Sequence, residues 1–128
     1  MNDQQVIIQP LLDYYAAFNT LEAHAVLPYF HEPTLLIGPQ GVFAAPTHEV
    51  LTPVVATLID SFRARGFGRS ELRVERAERL SAGTSLVTGV AIRYKVDGQE
   101  LERVGVTYVL QSADTRWKIA VLIVHDPR

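Results

Sequence analysis

The apolar positions of this chain change their spacing once, near residue 70, and the change separates a helical part from a strand-forming part. Before it, Val6, Ile7, Leu11, Tyr14, Tyr15 and Phe18 recur at close to a helical repeat, which predicts a first helix over residues 3–19. Pro10 predicts a kink or a late start there, because it has no N–H and its ring crowds the preceding turn. Thr20 is placed to cap a short second helix, LEAHAVLPYF, which Pro28 disturbs near its end. TLLIG and GVFA, separated by Pro39-Gln40, read as a short hairpin. Thr47 can cap a third helix with the stripe Val50, Leu51, Val54, Val55, Leu58, Ile59 and Phe62; if Pro53 delays the start, Thr52 is the cap. RGFG ends it.

From Ser70 onward the repeat is two. SELRVERAERL, SLVTGVAIRYKV, ELERVGVTYVLQS and RWKIAVLIVHD are four strand candidates, separated by turn-forming stretches. Asp97-Gly98 has the composition of a two-residue type I′ hairpin turn. Three helices around a small hairpin, followed by a four-stranded antiparallel meander, make an α+β domain in which the helices cover one face of a strongly curved sheet.

Side-chain alternation then sorts the polar residues onto faces. With Asp97-Gly98 as the turn, Val96 lies opposite Gln99 and Arg93 opposite Glu102, sharing a face with Ala91, Val104, Val106 and Tyr108. Ile92, Tyr94, Leu101, Arg103 and Thr107 take the other face. The next loop, within QSADTR, has two readings. An even number of loop residues puts Trp117, Ile119, Val121, Ile123 and His125 on the Arg93–Glu102 face, and an odd number puts them on the Arg103 face. The even count is the more consistent, because it gathers Tyr108, Trp117, Ile119, Val121 and Ile123 into one apolar surface.

On that count His125 stands at the rim of the concave face, close to Glu102 and Arg93. Glu102 would fix one ring nitrogen and leave the other as a general acid or base, while Tyr14 or Tyr15 donates to a developing oxyanion. The candidate catalytic set is therefore His125, Glu102, Arg93 and Tyr14, with Tyr15, Phe18, Phe30, Tyr108 and Trp117 lining the ligand site. Such a site suits proton transfer next to a carbonyl, or addition of water, on a largely hydrophobic small molecule. The same residues have a purely structural reading: a cross-strand ion pair worth at most about 1 kcal/mol if exposed, a histidine closing a strand, and core aromatics. Leu86, Val90, Ile92, Val109, Ala120, Leu122 and Val124 would cover the opposite face. An apolar face of that extent predicts a partner sheet, and hence a homodimer.

Composition narrows the function classes. The 128 residues fit one domain, 48% hydrophobic and 20% charged, and the net charge of −2 argues against nucleic-acid binding. Six arginines between residues 63 and 79 alternate with three glutamates, the pattern of a solvated edge strand protected by charge. The absence of cysteine excludes disulfides and thiolate chemistry. His31-Glu32 and His48-Glu49 lack a second histidine at metal-binding spacing, and no glycine-rich phosphate cradle is present, so neither a metal nor a cofactor is expected. No apolar run reaches the roughly 18 residues of a membrane span, and the N-terminus has no signal-peptide pattern, so a cytoplasmic location is expected.

YYAAFNTLEAHAVLPYF, HEPTLLIGPQGVFA, THEV and RWKIAVLIVHD, in this order and spacing, resemble the nuclear transport factor 2-like superfamily in its SnoaL-like and ketosteroid-isomerase-like branches. The resemblance covers nearly the whole chain. It implies a cone-shaped fold, a pocket between the helices and the concave sheet, and usually a homodimer. It does not imply one reaction, since the superfamily includes isomerases, polyketide cyclases, dehydratases, epoxide hydrolases and proteins without known catalysis. Of the ketosteroid isomerase machinery, the first-helix tyrosine matches Tyr14. The catalytic aspartate would fall near Ile37 or Gly38, and the second acid near Val106 or Thr107, where this chain has no carboxyl group. The expected function is a pocket for a small organic ligand, serving a cofactor-independent isomerase, cyclase, dehydratase or hydrolase with a histidine base, or else a non-catalytic binding or dimerisation module.

Overall fold

Helix α1 (Asp3–Phe18) starts on a capping box: the Asn2 side chain accepts the Gln5 N–H at 2.8 Å, and the Gln5 side chain accepts the Asn2 N–H at 3.2 Å. That double cap outweighs Pro10, which lies inside the helix and does not delay it. The structure is a computed structural model and describes residues 2–127. Thr20 does not cap the second helix; its hydroxyl donates to the Ala17 carbonyl at 2.7 Å and closes α1. Helix α2 is only Ala23–Val26, followed by a 3₁₀ turn at Leu27–Tyr29 that carries Pro28. With no N–H at Pro28 to continue the helix, the chain extends directly into β1 (Phe30–Gly38) and turns through Pro39-Gln40 into β2 (Gly41–Ala45).

Helix α3 (His48–Ala64) is capped by Thr47, whose hydroxyl accepts the Val50 N–H. Glu32 accepts the His48 N–H at 2.7 Å, a carboxylate at the positive end of the helix. Thr52 is therefore inside the helix, its hydroxyl donating to the His48 carbonyl. Leu51, Val55, Ile59 and Phe62 are buried, whereas Val50 and Leu58 are exposed, so the buried stripe is narrower than the apolar pattern.

The remaining strands are β3 (Phe67–Arg79), β4 (Thr84–Lys95), β5 (Glu100–Ala113) and β6 (Arg116–His125). The sheet order is β2-β1-β6-β5-β4-β3, antiparallel except for the parallel pair β1–β6. Helices and sheet enclose one core, in which Ile7, Leu11, Leu51, Val87, Leu110 and Ile119 are almost fully buried. β3 is an edge strand, and the pairs Arg73–Glu71 and Arg76–Glu78 lie along it at 3.3 and 3.2 Å.

One turn departs from the type its composition suggests, and the other has the even count. Asp97-Gly98 belongs to a three-residue loop in which the Lys95 N–H donates to the Gln99 carbonyl at 2.7 Å and only Gly98 has positive φ, at 92°. Lys95, not Val96, therefore faces Gln99. A bulge between Arg93 and Tyr94 takes up the extra residue and restores Arg93 opposite Glu102. The two-residue turn is Asp114-Thr115, both at positive φ (51° and 73°), as type I′ requires. That even count pairs Trp117 with Ser112 and Ile119 with Leu110 on the inner face, as alternation predicts.

The register shifts again between Val109 and Leu110, leaving Ala120 bulged. A one-residue bulge reverses every side chain beyond it. Leu122 and Val124 consequently share the inner face with Tyr108 and Val106, and Val121, Ile123 and His125 turn to the outer face beside Val109, Thr107 and Gly105. This corrects the assignment of both sets. No helix among the described residues is long and apolar enough to cross a membrane.

Candidate functional site

A cavity of about 240 Å³ opens between α1, the C-terminal half of α3 and the inner face of β4–β6. Helix α1 supplies Tyr14, Tyr15 and Phe18, because positions four apart lie on its buried face. Helix α3 supplies Phe62 and Arg65, β4 Arg93, β5 Glu102, Val106 and Tyr108, and β6 Leu122 and Val124. Asn19, just after α1, fastens the helix to β3: its side-chain oxygen accepts both the N–H and the hydroxyl of Ser70, at 2.9 and 3.0 Å, and its amide donates to the Ser70 carbonyl.

The polar groups form two sets. Inside, the Tyr15 and Tyr108 hydroxyls share a hydrogen bond of 2.7 Å. Tyr14 is 7% exposed and packs edge-on against Phe30 at 5.4 Å, yet its hydroxyl has no hydrogen-bond partner among the described residues. Burial, reinforced by the neighbouring Tyr15, pushes the Tyr14 phenol well above its ordinary range. Burial pushes Tyr15 up to about 12, against the opposing effects of the Tyr108 hydrogen bond and the Arg93 charge. Burial, then the other two phenols, also raises Tyr108. All three are therefore neutral hydroxyl groups at physiological pH, able to donate and not to act as bases.

At the mouth, Glu102 is held between two arginines. Arg93 Nη1 donates to Oε2 at 2.7 Å from the neighbouring strand, and Arg65 Nη2 donates to Oε1 at 2.5 Å from the end of α3. Both guanidiniums also lie near the Phe62 ring, at 4.8 Å for Arg93 and 5.8 Å for Arg65. The bridge ties the C-terminal end of α3 to the sheet across the opening.

Of the residues singled out in the sequence, Tyr14, Tyr15, Phe18, Arg93, Glu102 and Tyr108 meet around this cavity. His125 does not. Its Nδ1 is 2.8 Å from the Asp126 carbonyl, to which it donates, and its Nε2 accepts from the Thr107 hydroxyl at 3.0 Å on the outer face. The bulge at Ala120 is the reason. Trp117 faces inward but at the opposite end of β6, under Arg79, whose guanidinium lies 5.3 Å from its ring. Phe30 is 2% exposed and supports Tyr14 from behind without lining the cavity. Val106 contributes an apolar wall of the cavity, and Ile37 pairs with Ile123 on the outer face.

Among the cavity residues, the sequence pattern did not point to Phe62, Arg65, Leu122 or Val124. Arg65 was counted with the arginines of the charged edge, and nothing local marks it as reaching Glu102 from a helix end. Leu122 and Val124 carry no signal separate from the unforeseen bulge. Among the described residues no group of three or more histidine, aspartate or glutamate side chains could hold a metal ion.

Similar folds occur widely among solved structures. An NTF-2 like protein of unknown function from Shewanella oneidensis MR-1 superposes with a TM-score of 0.77 at 17% identity, over 95% of this chain and 98% of that one. A protein of unknown function with a cystatin-like fold from Nostoc punctiforme PCC 73102 gives 0.76 at 12% identity, over 96% and 90%. A ketosteroid isomerase-like protein from Erwinia carotovora atroseptica SCRI1043 gives 0.72 at 19% identity, over 98% and 97%. At these identities the likeness is one of fold alone. Comparison with curated proteins finds no match. The family model described as NTF2-like protein (DUF6841) matches residues 3–127, nearly the whole of the helices and sheet described above, and the chain therefore belongs to that NTF2-like family.

Proposed function

We propose that this protein binds a small organic molecule in the cavity between α1, α3 and the sheet, and that binding, not histidine-dependent catalysis, is what the site is built for. The observation that carries the reading is Tyr14, a buried residue in an aromatic wall whose hydroxyl opens onto the cavity without a protein partner among the described residues. A hydroxyl that opens onto a largely apolar cavity without a protein partner is a donor placed for a ligand. The cavity's 240 Å³ is below the roughly 300–1,000 Å³ of drug-sized ligand sites, which favours a molecule smaller than a steroid. Catalysis by His125 loses its support because that ring is on the other face of the sheet.

A thermal-shift screen of compact carbonyl and aromatic compounds tests the reading. A ligand at about a hundred times its Kd should stabilise the fold by about 2.7 kcal/mol. Tyr14→Phe should retain the fold and weaken that shift. A hit unaffected by Tyr14→Phe would place the ligand elsewhere.

The second part of the proposal is a homodimer through the outer sheet face. Leu35, Ile37, Val109, Val121 and Ile123 lie together there, only partly buried, which is the composition of a covered surface.

A further inference from the structure

The cavity's charge and its unused donors say more about the ligand, if the reading of the cavity as a ligand site holds. The Arg93 side chain is only 16% exposed and is packed against Phe62. Of its N–H groups, Nη1 alone is engaged, with Glu102. Its other donors keep access to the cavity, where a few convergent polar groups can orient a ligand. The remaining Arg93 donors have no acceptor among the described residues, and Arg93 shares the cavity wall with the unpartnered Tyr14 hydroxyl. Two guanidiniums face one carboxylate at the mouth, so Arg65, Arg93 and Glu102 together leave one positive charge.

We propose that the ligand is a small monocarboxylate with an apolar body, its oxyanion taken by Arg93 and Tyr14, and that Arg65 and Glu102 set the charge that admits it. The planar fork of a guanidinium matches a carboxylate, and a single negative charge cancels the excess at the mouth. A phosphate dianion would overcompensate that charge and would leave the apolar wall formed by Val106, Leu122 and Val124 without contacts.

Calorimetric titration with phenylacetate, 3-phenylpropionate, their uncharged amides and inorganic phosphate tests this. The acids should bind at least about tenfold more tightly than the amides, the scale of one charged hydrogen bond. Arg93→Gln should abolish that preference, bringing the acids to the affinity of the amides. Glu102→Gln should tighten acid binding, because it removes the competing carboxylate. Arg65→Gln, at a half-exposed site where folding is least at risk, should weaken acid binding without changing the amides. Amides that bind as tightly as the acids overturn the carboxylate proposal and leave the ligand site standing. So does phosphate binding as tight as the acids, or an acid preference that survives Arg93→Gln and is unmoved by Arg65→Gln. Failure of acids and amides alike overturns both readings.

Discussion

Tyr14, Tyr15 and Tyr108 are the residues whose chemistry departs furthest from that of the free side chain. Their phenols are raised by burial, so on alkalinisation the unfolded chain loses these protons first. The sign follows: above the ordinary phenol value of about 10 the unfolded state binds fewer protons, and stability falls as pH rises. The full contribution is present below about pH 10, and each tyrosine contributes a slope of up to about 1.4 kcal/mol per pH unit above it. Denaturant unfolding between pH 9 and 12, roughly the window set by those values, should show the decline, and Tyr15→Phe should reduce its slope. His125 gives a second prediction. Its ring bonds to Thr107 and Asp126 outside the cavity, so His125→Ala should leave ligand affinity unchanged and cost at most about 1.5 kcal/mol of stability in chemical denaturation. A loss of binding would contradict the placement of the ring. Tyr14 was legible from helical spacing, and Arg93 and Glu102 each from alternation along its own strand, because both signals act over a few residues; their pairing rests on the bulge that offsets the longer loop. His125 was not legible, because its orientation depends on an event five residues upstream.

Three of the sheet's five register shifts bear most on what faces what. One restores Arg93 to Glu102 after the longer Asp97-Gly98 loop, and one turns the end of β6 over. The third lies in β3 between Val74 and Arg76, where the strand closes over Gly89 of β4. A Cβ at Gly89 would overlap the Arg73 carbonyl oxygen and come within 3.2 Å of the Val74 α-carbon, both backbone atoms. Gly89→Ala should therefore destabilise by about 1–3 kcal/mol, since neither strand can yield without breaking the ladder, and the thermal midpoint measures it. The helices were easier to read. Their repeat and caps are local, and Thr47 caps α3 as its sequence position suggests. Their ends depended on competition: the Asn2–Gln5 box outweighed Pro10, and the 3₁₀ turn at Pro28 shortened α2.

For the whole molecule, the same flip of β6 supplies both principal surfaces. It brings Leu122 and Val124 to the cavity and Val121 and Ile123 to the outer face, next to Leu35 and Ile37 of the parallel neighbour β1. If that face pairs two copies, Ile123→Glu should give a folded monomer by sedimentation equilibrium, with unchanged far-ultraviolet circular dichroism. A wild type that sediments as a monomer at micromolar concentration would remove the dimer proposal. The α+β class, the succession of elements and the edge position of β3 were determined by the sequence itself, through periodicity, turn-forming residues and charge pattern. These signals are read between neighbours along one chain. The direction of His125, the bulge that sets Arg93 opposite Glu102, the reach of Arg65 to Glu102 and the meeting of Tyr14 and Tyr15 with the distant Tyr108 around a cavity were decided only in the tertiary structure. A bulge is one residue without a partner across the ladder, and which residue that is depends on how two strands and the helices above them pack.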